Sequence, residues 1–224
     1  MTPHRAIALL DLTSLTGTET DAEIDALCER AAEHGVAAVC VYPQYVARAV
    51  THGVRVAAVA NFPEGDLDAD RAARDAKAAV ADGAAEVDVV LPWRAWLGDD
   101  RGGAIAVVEA ARRATPGTLK VILESGQLGD RVRAAADDAL VAGADFVKTS
   151  TGKVPPGASP EAARAMMEAV RDHGSGGFKA SGGVRTREDA EAYLAIADEL
   201  LGPDWATPDT FRIGASSLLD ALLK

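Results

Sequence analysis

The sequence has little of several features that mark particular protein classes. Aromatic residues make up 4% of its 224 residues, and it has two cysteines, four histidines and a formal net charge of −11. A chain of that charge lacks the basic patch that nucleic acids and anionic membranes require. No apolar run reaches the roughly 18 residues of a membrane span, and the first residues lack the layout of a signal peptide. We expect a soluble, cytoplasmic protein with no nucleic-acid or membrane partner.

The few cysteines and histidines indicate structural roles. Cys28 falls in a helix-like segment and Cys40 in a strand-like one, with no spacing that suggests a zinc site or a disulfide framework. His34, His52 and His173 each precede a glycine where a helical pattern ends. Glycine accepts a positive φ and closes a helix there, with the imidazole near the negative end of the helix dipole. A histidine base is therefore not expected.

The chain does contain a repeated unit of an apolar strand followed by a helix. Hydrophobic residues make up 48% of the sequence. Eight apolar runs are predicted as strands, at residues 6–12, 37–42, 54–61, 86–91, 119–124, 146–148, 177–180 and 211–214. Helical patterns follow them, at residues 21–34, 43–52, 68–82, 104–114, 130–141, 186–201 and the terminal segment, with Ser159 and Pro160 opening a further helix.

Eight such units of about 25 to 30 residues are typical of a closed parallel (β/α)8 TIM barrel. The strand runs are continuous rather than alternating, as expected for strands that are buried on both faces. We predict an α/β fold with one domain spanning residues 1–224. The competing architecture is an open doubly wound sheet, which more typically has five or six strands and a glycine-rich turn after the first. Here the glycine-rich turns come late in the chain.

A lysine interrupts the sixth apolar run, in the stretch Phe146-Val-Lys-Thr-Ser-Thr-Gly-Lys153. A buried ammonium costs several kcal/mol unless it is paired or loses its proton. A neutral lysine amine attacks aldehydes and ketones to form a Schiff base, which is the chemistry of covalent aldolases. The alternative is a strand-end lysine whose stem packs while its head reaches water.

Other charged residues lie within or at the end of apolar strands and form a set of three acids and three bases: Asp11, Asp88, Glu124, Lys148, Lys179 and Arg212. Helices cover the outside of a barrel, so these side chains are expected in its interior or at its C-terminal mouth. A structural ion-pair network is one interpretation, and it is the better one for Arg212. For Asp88, Lys148 and Lys179 we favour chemistry, because the like charge of Lys179 would favour the neutral Lys148 amine while Asp88 carries protons.

Two late loops have the composition of a phosphate site. Residues 181–185, Ser-Gly-Gly-Val-Arg, follow the seventh predicted strand, and residues 214–217, Gly-Ala-Ser-Ser, follow the eighth. Barrels commonly bind phosphate there through backbone amides and a helix N-terminus. Gly152 and Lys153, just beyond the lysine strand, add a donor and a positive charge.

These stretches resemble deoxyribose-phosphate aldolases along nearly the whole chain. The matching segments are Asp11-Leu-Thr13, Cys40-Val-Tyr-Pro43, Asn61-Phe-Pro63, Glu86-Val-Asp-Val-Val90, the lysine octapeptide of residues 146–153, Gly177-Phe-Lys-Ala-Ser-Gly-Gly-Val-Arg185 and Gly214-Ala-Ser-Ser217. The resemblance implies a lyase of deoxyribonucleoside catabolism that reversibly cleaves 2-deoxy-D-ribose 5-phosphate into acetaldehyde and D-glyceraldehyde 3-phosphate. It implies small phosphosugar and aldehyde substrates and no metal or organic cofactor.

The resemblance also implies residue roles. Lys148 would form the Schiff base, with Asp88 and Lys179 as proton donor and acceptor. The positions that match the family's phosphate contacts are Gly152, Lys153, Gly182, Gly183, Arg185, Gly214 and Ser216. Asp11 and Thr13 would support the site. Cys40 matches a cysteine near the cavity, as either a thiol that reacts with aldehyde products or a small buried residue.

Two departures from the family pattern and two alternative functions remain open. The first strand is predicted from about residue 6, without the short helix that precedes it in many members, and the sequence ends at Lys224 without a tail ending in tyrosine. Substrate gating and the final proton step are therefore expected to differ. The alternatives are another Schiff-base barrel aldolase that uses a ketone donor and a non-catalytic barrel that senses phosphorylated sugars. A homodimer or larger homo-oligomer fits the sequence as well as a monomer does.

Overall fold

The computed structural model describes residues 3–224, and its centre is a closed parallel barrel of eight strands. Each strand pairs with the next along the chain, and the eighth pairs with the first. The strands are β1 (Leu10–Thr13), β2 (Ala38–Val41), β3 (Val56–Ala60), β4 (Glu86–Val90), β5 (Thr118–Ile122), β6 (Phe146–Lys148), β7 (Gly177–Ser181) and β8 (Phe211–Ala215). The prediction of a TIM barrel is confirmed.

Helices surround the barrel. They are α1 (Pro3–Ala8), α2 (Asp21–His34), α3 (Val46–Ala49), α4 (Ala69–Ala81), α5 (Trp93–Leu97), α6 (Arg101–Ala114), α7 (Ser125–Leu128), α8 (Val132–Val141), α9 (Pro160–His173), α10 (Arg187–Leu201) and α11 (Leu218–Leu222). Short 3-10 turns at Pro43–Tyr45, Val50–His52 and Gly129–Arg131 join some of them. No helix between residues 3 and 224 combines the length and the apolar character that crossing a bilayer demands.

Local sequence signals fix the ends of the long helices. Thr20 caps α2 in a capping box with Glu23, and Ser159 caps α9 ahead of Pro160. At the other ends, the glycines that follow His34, His52 and His173 adopt left-handed conformations with φ of 66°, 70° and 81°. The predicted structural role of these three histidines agrees with that geometry.

The start of the chain differs from the prediction. The apolar run predicts a first strand from residue 6 onward, but Pro3–Ala8 is a helix and β1 begins at Leu10. Ala6 and Ile7 are buried, and α1 contacts α10 and α11. The apolar residues 6–10 therefore serve two elements, which a continuous hydrophobic run cannot reveal. The departure from the family pattern that we expected at this end is wrong.

Candidate active site

The Asp88 carboxylate is the hub of the charged barrel interior. Its Oδ2 accepts hydrogen bonds from Lys148 Nζ at 2.7 Å and Lys179 Nζ at 2.8 Å, and its Oδ1 accepts one from Lys120 Nζ at 2.9 Å. Strand register explains the convergence, because Asp88 pairs with Lys120 across β4 and β5 and Lys148 pairs with Lys179 across β6 and β7. The structure thus brings together the three residues for which chemistry was predicted, and adds a third amine.

Asp11 and Arg212 extend this network across β1 and β8. Asp11 Oδ2 accepts a hydrogen bond from Lys179 Nζ at 2.5 Å, and Asp11 Oδ1 accepts one from Arg212 Nη1 at 2.6 Å. Both side chains are essentially inaccessible to solvent. Asp11 is therefore the second carboxylate, after Asp88, that holds the Lys179 ammonium. This position is compatible with the supporting role predicted for Asp11.

Two members of the network, Glu86 and Lys120, were not predicted from the sequence. Glu86 accepts hydrogen bonds from Arg212 Nη2 at 2.8 Å and from Lys120, which also donates to Asp88. Six side chains therefore form a closed circuit of alternating sign, which we call the charge ring: Glu86, Lys120, Asp88, Lys179, Asp11 and Arg212. Lys120 interrupts an apolar strand just as Lys148 does, so the same sequence signal would have found it.

The ring members hold one another in their charged forms. Burial opposes ionisation of Asp88, but the three ammonium groups around it outweigh burial and keep its pKa well below the usual value. Burial likewise opposes the charge of Lys179, but the carboxylates of Asp11 and Asp88 raise its pKa above the usual value. The pKa of Asp11 is lowered and that of Lys120 is raised by the same balance of burial and opposite charges. The ring is thus ionised at neutral pH.

Lys148 stands outside the ring, at the C-terminal end of β6. Its side chain is 3% exposed. Among the residues that the structure describes, Asp88 is the one carboxylate within 4 Å of Lys148 Nζ. Lys120 and Lys179 each contact at least two carboxylates. The amine singled out from the sequence is therefore the least compensated of the three.

A cavity of about 320 Å³ opens at the C-terminal end of the strands. Side chains two positions apart on a strand point to the same face, so the residues two further along from ring members reach the cavity: Thr13 beyond Asp11, Ser181 beyond Lys179. All the positions predicted to contact phosphate line it: Gly152, Lys153, Gly182, Gly183, Arg185, Gly214 and Ser216.

The cavity wall is built for close approach of backbone to a ligand. Gly152, Gly182 and Gly183 have φ of 78°, 88° and 102°, conformations that side chains disfavour. Lys153 is exposed and donates a hydrogen bond to the carbonyl of Leu15 at 2.6 Å, which places its ammonium at the rim. Arg185 is also exposed, and its amide binds Asp189. Both cations are thus available at the rim of the cavity.

Glu124 is the member of the predicted charged set that lies outside the ring. It is buried just beyond β5, with φ of 57°, and its carboxylate accepts a hydrogen bond from Thr151 Oγ1 at 2.6 Å. Burial raises the pKa of Glu124 despite the bonds from Thr151. The three acids of the buried network are therefore Asp11, Asp88 and Glu86, and Glu124 instead ties the end of β5 to the loop after Lys148.

Cys40 lies beside the ring, with its Sγ 3.9 Å from Asp88 Oδ2. Both cysteines are buried and free, and burial raises the pKa of the Cys40 thiol, which disfavours the reactive thiolate. Cys40 also belongs to a small apolar cluster that is separate from the main core and comprises Ala57, Val59, Phe62, Val90 and Ile122 with Leu15 and Tyr42 packed against it. This cluster gives one side of the interior an apolar wall.

The comparisons with known proteins agree with this geometry. Residues 5–224 match the family model described as the DeoC/LacD family aldolase, which is nearly the whole chain. The chain belongs to the DeoC/LacD family of aldolases. It is therefore an enzyme, and a lyase that acts on small molecules.

Solved structures similar to this aldolase share its whole fold. A protein from Coccidioides immitis, assigned as a deoxyribose-phosphate aldolase, is 36% identical with a TM-score of 0.87, over 98% of this chain and 86% of that one. The tetrameric deoxyribose phosphate aldolase from Aeropyrum pernix is 28% identical with a TM-score of 0.82, over 99% and 91%. A protein described as QR15, an aldolase, is 30% identical with a TM-score of 0.85, over 97% and 96%.

Proposed function

We propose that this aldolase cleaves 2-deoxy-D-ribose 5-phosphate into acetaldehyde and D-glyceraldehyde 3-phosphate through a Schiff base on Lys148. The observation that carries the proposal is the position of the Lys148 amine, 2.7 Å from Asp88 at the edge of the charge ring. The ring alone holds three carboxylates and three cations. A protonated Lys148 adds an uncompensated charge to a buried site, whereas the neutral amine leaves the ring balanced.

The reaction follows from that neutral amine. Lys148 Nζ adds to the C1 aldehyde of the open-chain sugar, and loss of water gives an iminium that accepts electrons. Asp88, directly or through water, takes the proton of the C3 hydroxyl. The C2–C3 bond then breaks, its electron pair forms the enamine, and glyceraldehyde 3-phosphate leaves. Protonation of the enamine at C2 and addition of water release acetaldehyde and restore the amine.

The proton transfers depend on the contact that Lys148 and Lys179 share. Both amines lie on Oδ2 of Asp88, so one carboxylate oxygen can pass a proton between them. The charges of Asp11 and Asp88 overcome burial and raise the pKa of Lys179, so it is protonated and holds a proton to donate, although the same charges make it a weak acid. Asp88 suits the acceptor role by position, although the ammonium groups of Lys120 and Lys179 weaken it as a base.

The cavity and the apolar cluster beside Asp88 together account for the two ends of the substrate. The glycines of the loops after β6 and β7, with Gly214 and Ser216 at the end of β8, offer backbone amides at the cavity wall, and Lys153 and Arg185 supply positive charge for a phosphate. The apolar cluster that contains Cys40, Val59 and Phe62 lies beside Asp88 rather than in the cavity wall, and it gives the reacting carbons surroundings of low polarity. A phosphorylated sugar with a short unsubstituted end matches this polarity.

We also propose that residues 1–224 act as one catalytic domain, that the enzyme is a cytoplasmic homo-oligomer and that it serves deoxyribose catabolism. The single closed barrel supports the first point. The tetrameric relative from Aeropyrum pernix supports assembly. The proposed substrate, a phosphorylated metabolite of the cell interior, supports the location and the role. Light scattering of the purified protein would determine its assembly state.

A comparison of donors tests the proposed substrate. With D-glyceraldehyde 3-phosphate as the acceptor, we expect product with acetaldehyde, and at least tenfold slower reaction with dihydroxyacetone or pyruvate. In the cleavage direction, removal of the phosphate from 2-deoxyribose should raise KM by at least tenfold, because the amides and cations of the cavity lose their anion. Faster reaction with a ketone donor would assign the chain a different aldol reaction. Binding of the phosphosugar without turnover would make it a sensor.

A further inference from the structure

Glu86 is a member of the charge ring and lies farther from the cavity along β4 than Asp88 does. It is the first residue of β4, two positions before Asp88 on the same face of the strand, and is 1% exposed. Its side-chain contacts are with Lys120, Arg212 and the partly exposed Arg55. Glu86 therefore acts on the site through these cations rather than by contact with Lys148.

Its contacts nevertheless decide how much positive charge falls on Asp88. Lys120 donates to Asp88 Oδ1 at 2.9 Å and to Glu86, so the two carboxylates share its ammonium. Arg212 is shared in the same way, at 2.6 Å from Asp11 and 2.8 Å from Glu86. Without the Glu86 charge, the ammonium of Lys120 would have Asp88 as its close partner, with Asp11 3.8 Å away.

We propose that Glu86 is a positioning residue of the aldol reaction, which draws the charge of Lys120 away from Asp88 and thereby sets the charge balance around Lys148. This inference rests on the proposed Schiff-base function. It has two consequences. The Asp88 carboxylate is a stronger proton acceptor with Glu86 present than without it. The net charge of the ring is zero only while Glu86 is ionised.

Charged and titratable groups surround both Glu86 and Lys148. The groups around Glu86 are Lys120 on β5, Arg212 on β8, Asp11 on β1 and Arg55, which immediately precedes β3. Lys148 is faced by Asp88 from β4, Lys179 from β7, Glu124 beyond β5 and Cys40 from β2. Loss of one negative charge from the ring adds net positive charge near Lys148. Like charge disfavours an ammonium, so the neutral amine persists to lower pH.

The test uses the isosteric variant Glu86→Gln in the full-length enzyme. Acetaldehyde and borohydride are added over a series of pH values, and the fraction of protein modified at Lys148 is measured by mass spectrometry. The modified fraction falls on the acidic side of the pH series, and we expect the midpoint of that fall to lie at least about half a pH unit lower in Glu86→Gln than in the wild type. For cleavage, we expect kcat to fall about tenfold and KM to stay within twofold, because Glu86 acts on the site through the cations beside it.

A partner variant tests the same idea without removing a buried group. Arg55 is 47% exposed and contacts Glu86 at 3.4 Å. Arg55→Gln removes positive charge beside the ring, so the acidic limb should move in the opposite direction, to higher pH, by a smaller amount. Arg30 on the outer helix α2 is 40% exposed and pairs with Asp220, and Arg30→Gln is the matched control with no expected shift. If Glu86→Gln does not fold, the Arg55→Gln shift decides the inference.

The outcomes separate the two proposals. A wild-type protein that shows no adduct at Lys148 refutes the proposed function itself. A wild-type adduct with superimposable pH profiles for folded Glu86→Gln and Arg55→Gln refutes the role of Glu86 and leaves the function standing. A merely structural Glu86 would lower the unfolding temperature and leave the pH profile unchanged.

Discussion

Three lysines of the barrel interior share one side-chain chemistry and differ in their neighbours. Lys120 lies between Glu86 and Asp88, and Lys179 lies between Asp11 and Asp88. Lys148 has one carboxylate contact. Burial lowers the pKa values of Lys120 and Lys179, but the carboxylates around each of them outweigh burial and raise both pKa values. Contacts, rather than residue type, therefore distinguish the proposed nucleophile.

Substitution of Asp88 tests the hub of the site. Asp88→Asn keeps the shape of the side chain and removes the charge that all three amines contact. We expect kcat for cleavage of 2-deoxyribose 5-phosphate to fall by about 10² to 10⁴, because both the proton acceptor and the link between Lys148 and Lys179 are lost. Steady-state kinetics of the purified variant measure this, with circular dichroism to establish that it folds.

Asp220→Asn is the matched control for that substitution. Asp220 lies on α11, pairs with Arg30 at the surface and does not line the cavity. We expect its activity to stay within about threefold of the wild type. An Asp88→Asn enzyme that retained more than a tenth of wild-type kcat would show that Asp88 is no more than a structural counter-ion.

The buried charged residues are predictable because charge is rare in buried strands. A lysine or aspartate inside an apolar run marks Asp88, Lys148 and Lys179 as buried charges from the sequence, and the same signal marks Lys120. The circuit that joins them is not predictable, because it depends on register and closure: Asp88 meets Lys120 through strand pairing, and Asp11 meets Arg212 because β8 pairs with β1. Glu86 stands at the start of its strand, where the sequence does not distinguish a buried charge from an exposed one.

At the scale of elements, the pairing of β7 with β8 restricts Lys179. A methyl group at Gly214 on β8 would lie 2.9 Å from Cε of Lys179, whose Nζ is held by two carboxylates. Gly214→Ala should displace that amine and lower kcat by about tenfold, since small misplacements of reacting groups are costly. The effect should persist with unphosphorylated 2-deoxyribose as the substrate, which separates it from any loss of phosphate binding.

Gly102→Ala is the control for this prediction. Gly102 lies in α6, where an added methyl group meets no atom within 4 Å, so we expect wild-type activity. Equal kcat values for Gly214→Ala and wild type on the unphosphorylated sugar would contradict a strict placement of Lys179 by β8.

The starts of the helices were predicted with uneven accuracy. The helices α2, α9 and α10 begin within one residue of the predicted position, whereas α6 begins at Arg101, three residues before the predicted start, although Asp100 caps it. The predicted helix over 130–141 instead starts with a 3-10 turn and becomes α8 at Val132, because no side-chain cap fixes that end. Without a capping interaction, the sequence pattern does not define where one turn type becomes another.

At the scale of the whole molecule, the charge ring links stability to pH. The pKa values of Asp11, Glu86 and Asp88 are lowered in the fold, since nearby cations overcome burial. The contribution of these carboxylates to the free energy of unfolding is complete above their pKa values in the unfolded chain, near 4, and is lost as pH falls. The pKa values of Lys120 and Lys179 are raised in the fold, so the contribution of these lysines is complete below about 10.4, the usual lysine pKa, and is lost at higher pH. The free energy of unfolding should fall by at least about 2 kcal/mol between pH 5 and pH 2.5.

Urea unfolding at a series of pH values measures this dependence. Glu86→Gln should show a shallower acid slope than the wild type, because one of the three buried carboxylates is removed. Asp220→Asn, which alters an exposed pair between α2 and α11, should keep the wild-type slope. Stability that rises between pH 5 and pH 3 in the wild type would contradict the ionised ring.

The fold itself was predictable because a strand followed by a helix recurs eight times with buried, continuous strand runs. Eight such units leave one parallel arrangement without free edges, which is the closed barrel. The closure also determines the chemistry, because it brings β1, β4, β6 and β7 around a single interior. The proposed mechanism requires one amine in that interior, Lys148 Nζ, to bond to the substrate carbonyl.

Mass spectrometry after treatment with acetaldehyde and borohydride tests that claim most directly. Reduction converts the Schiff base into an ethyl group on the lysine that formed it, and peptide mapping locates that lysine. We predict modification at Lys148 in the wild type, and no stoichiometric modification or aldolase turnover in Lys148→Ala. Modification at Lys120, at Lys179 or at an exposed lysine with Lys148 unmodified would contradict the account, as would Lys148→Ala with near wild-type turnover.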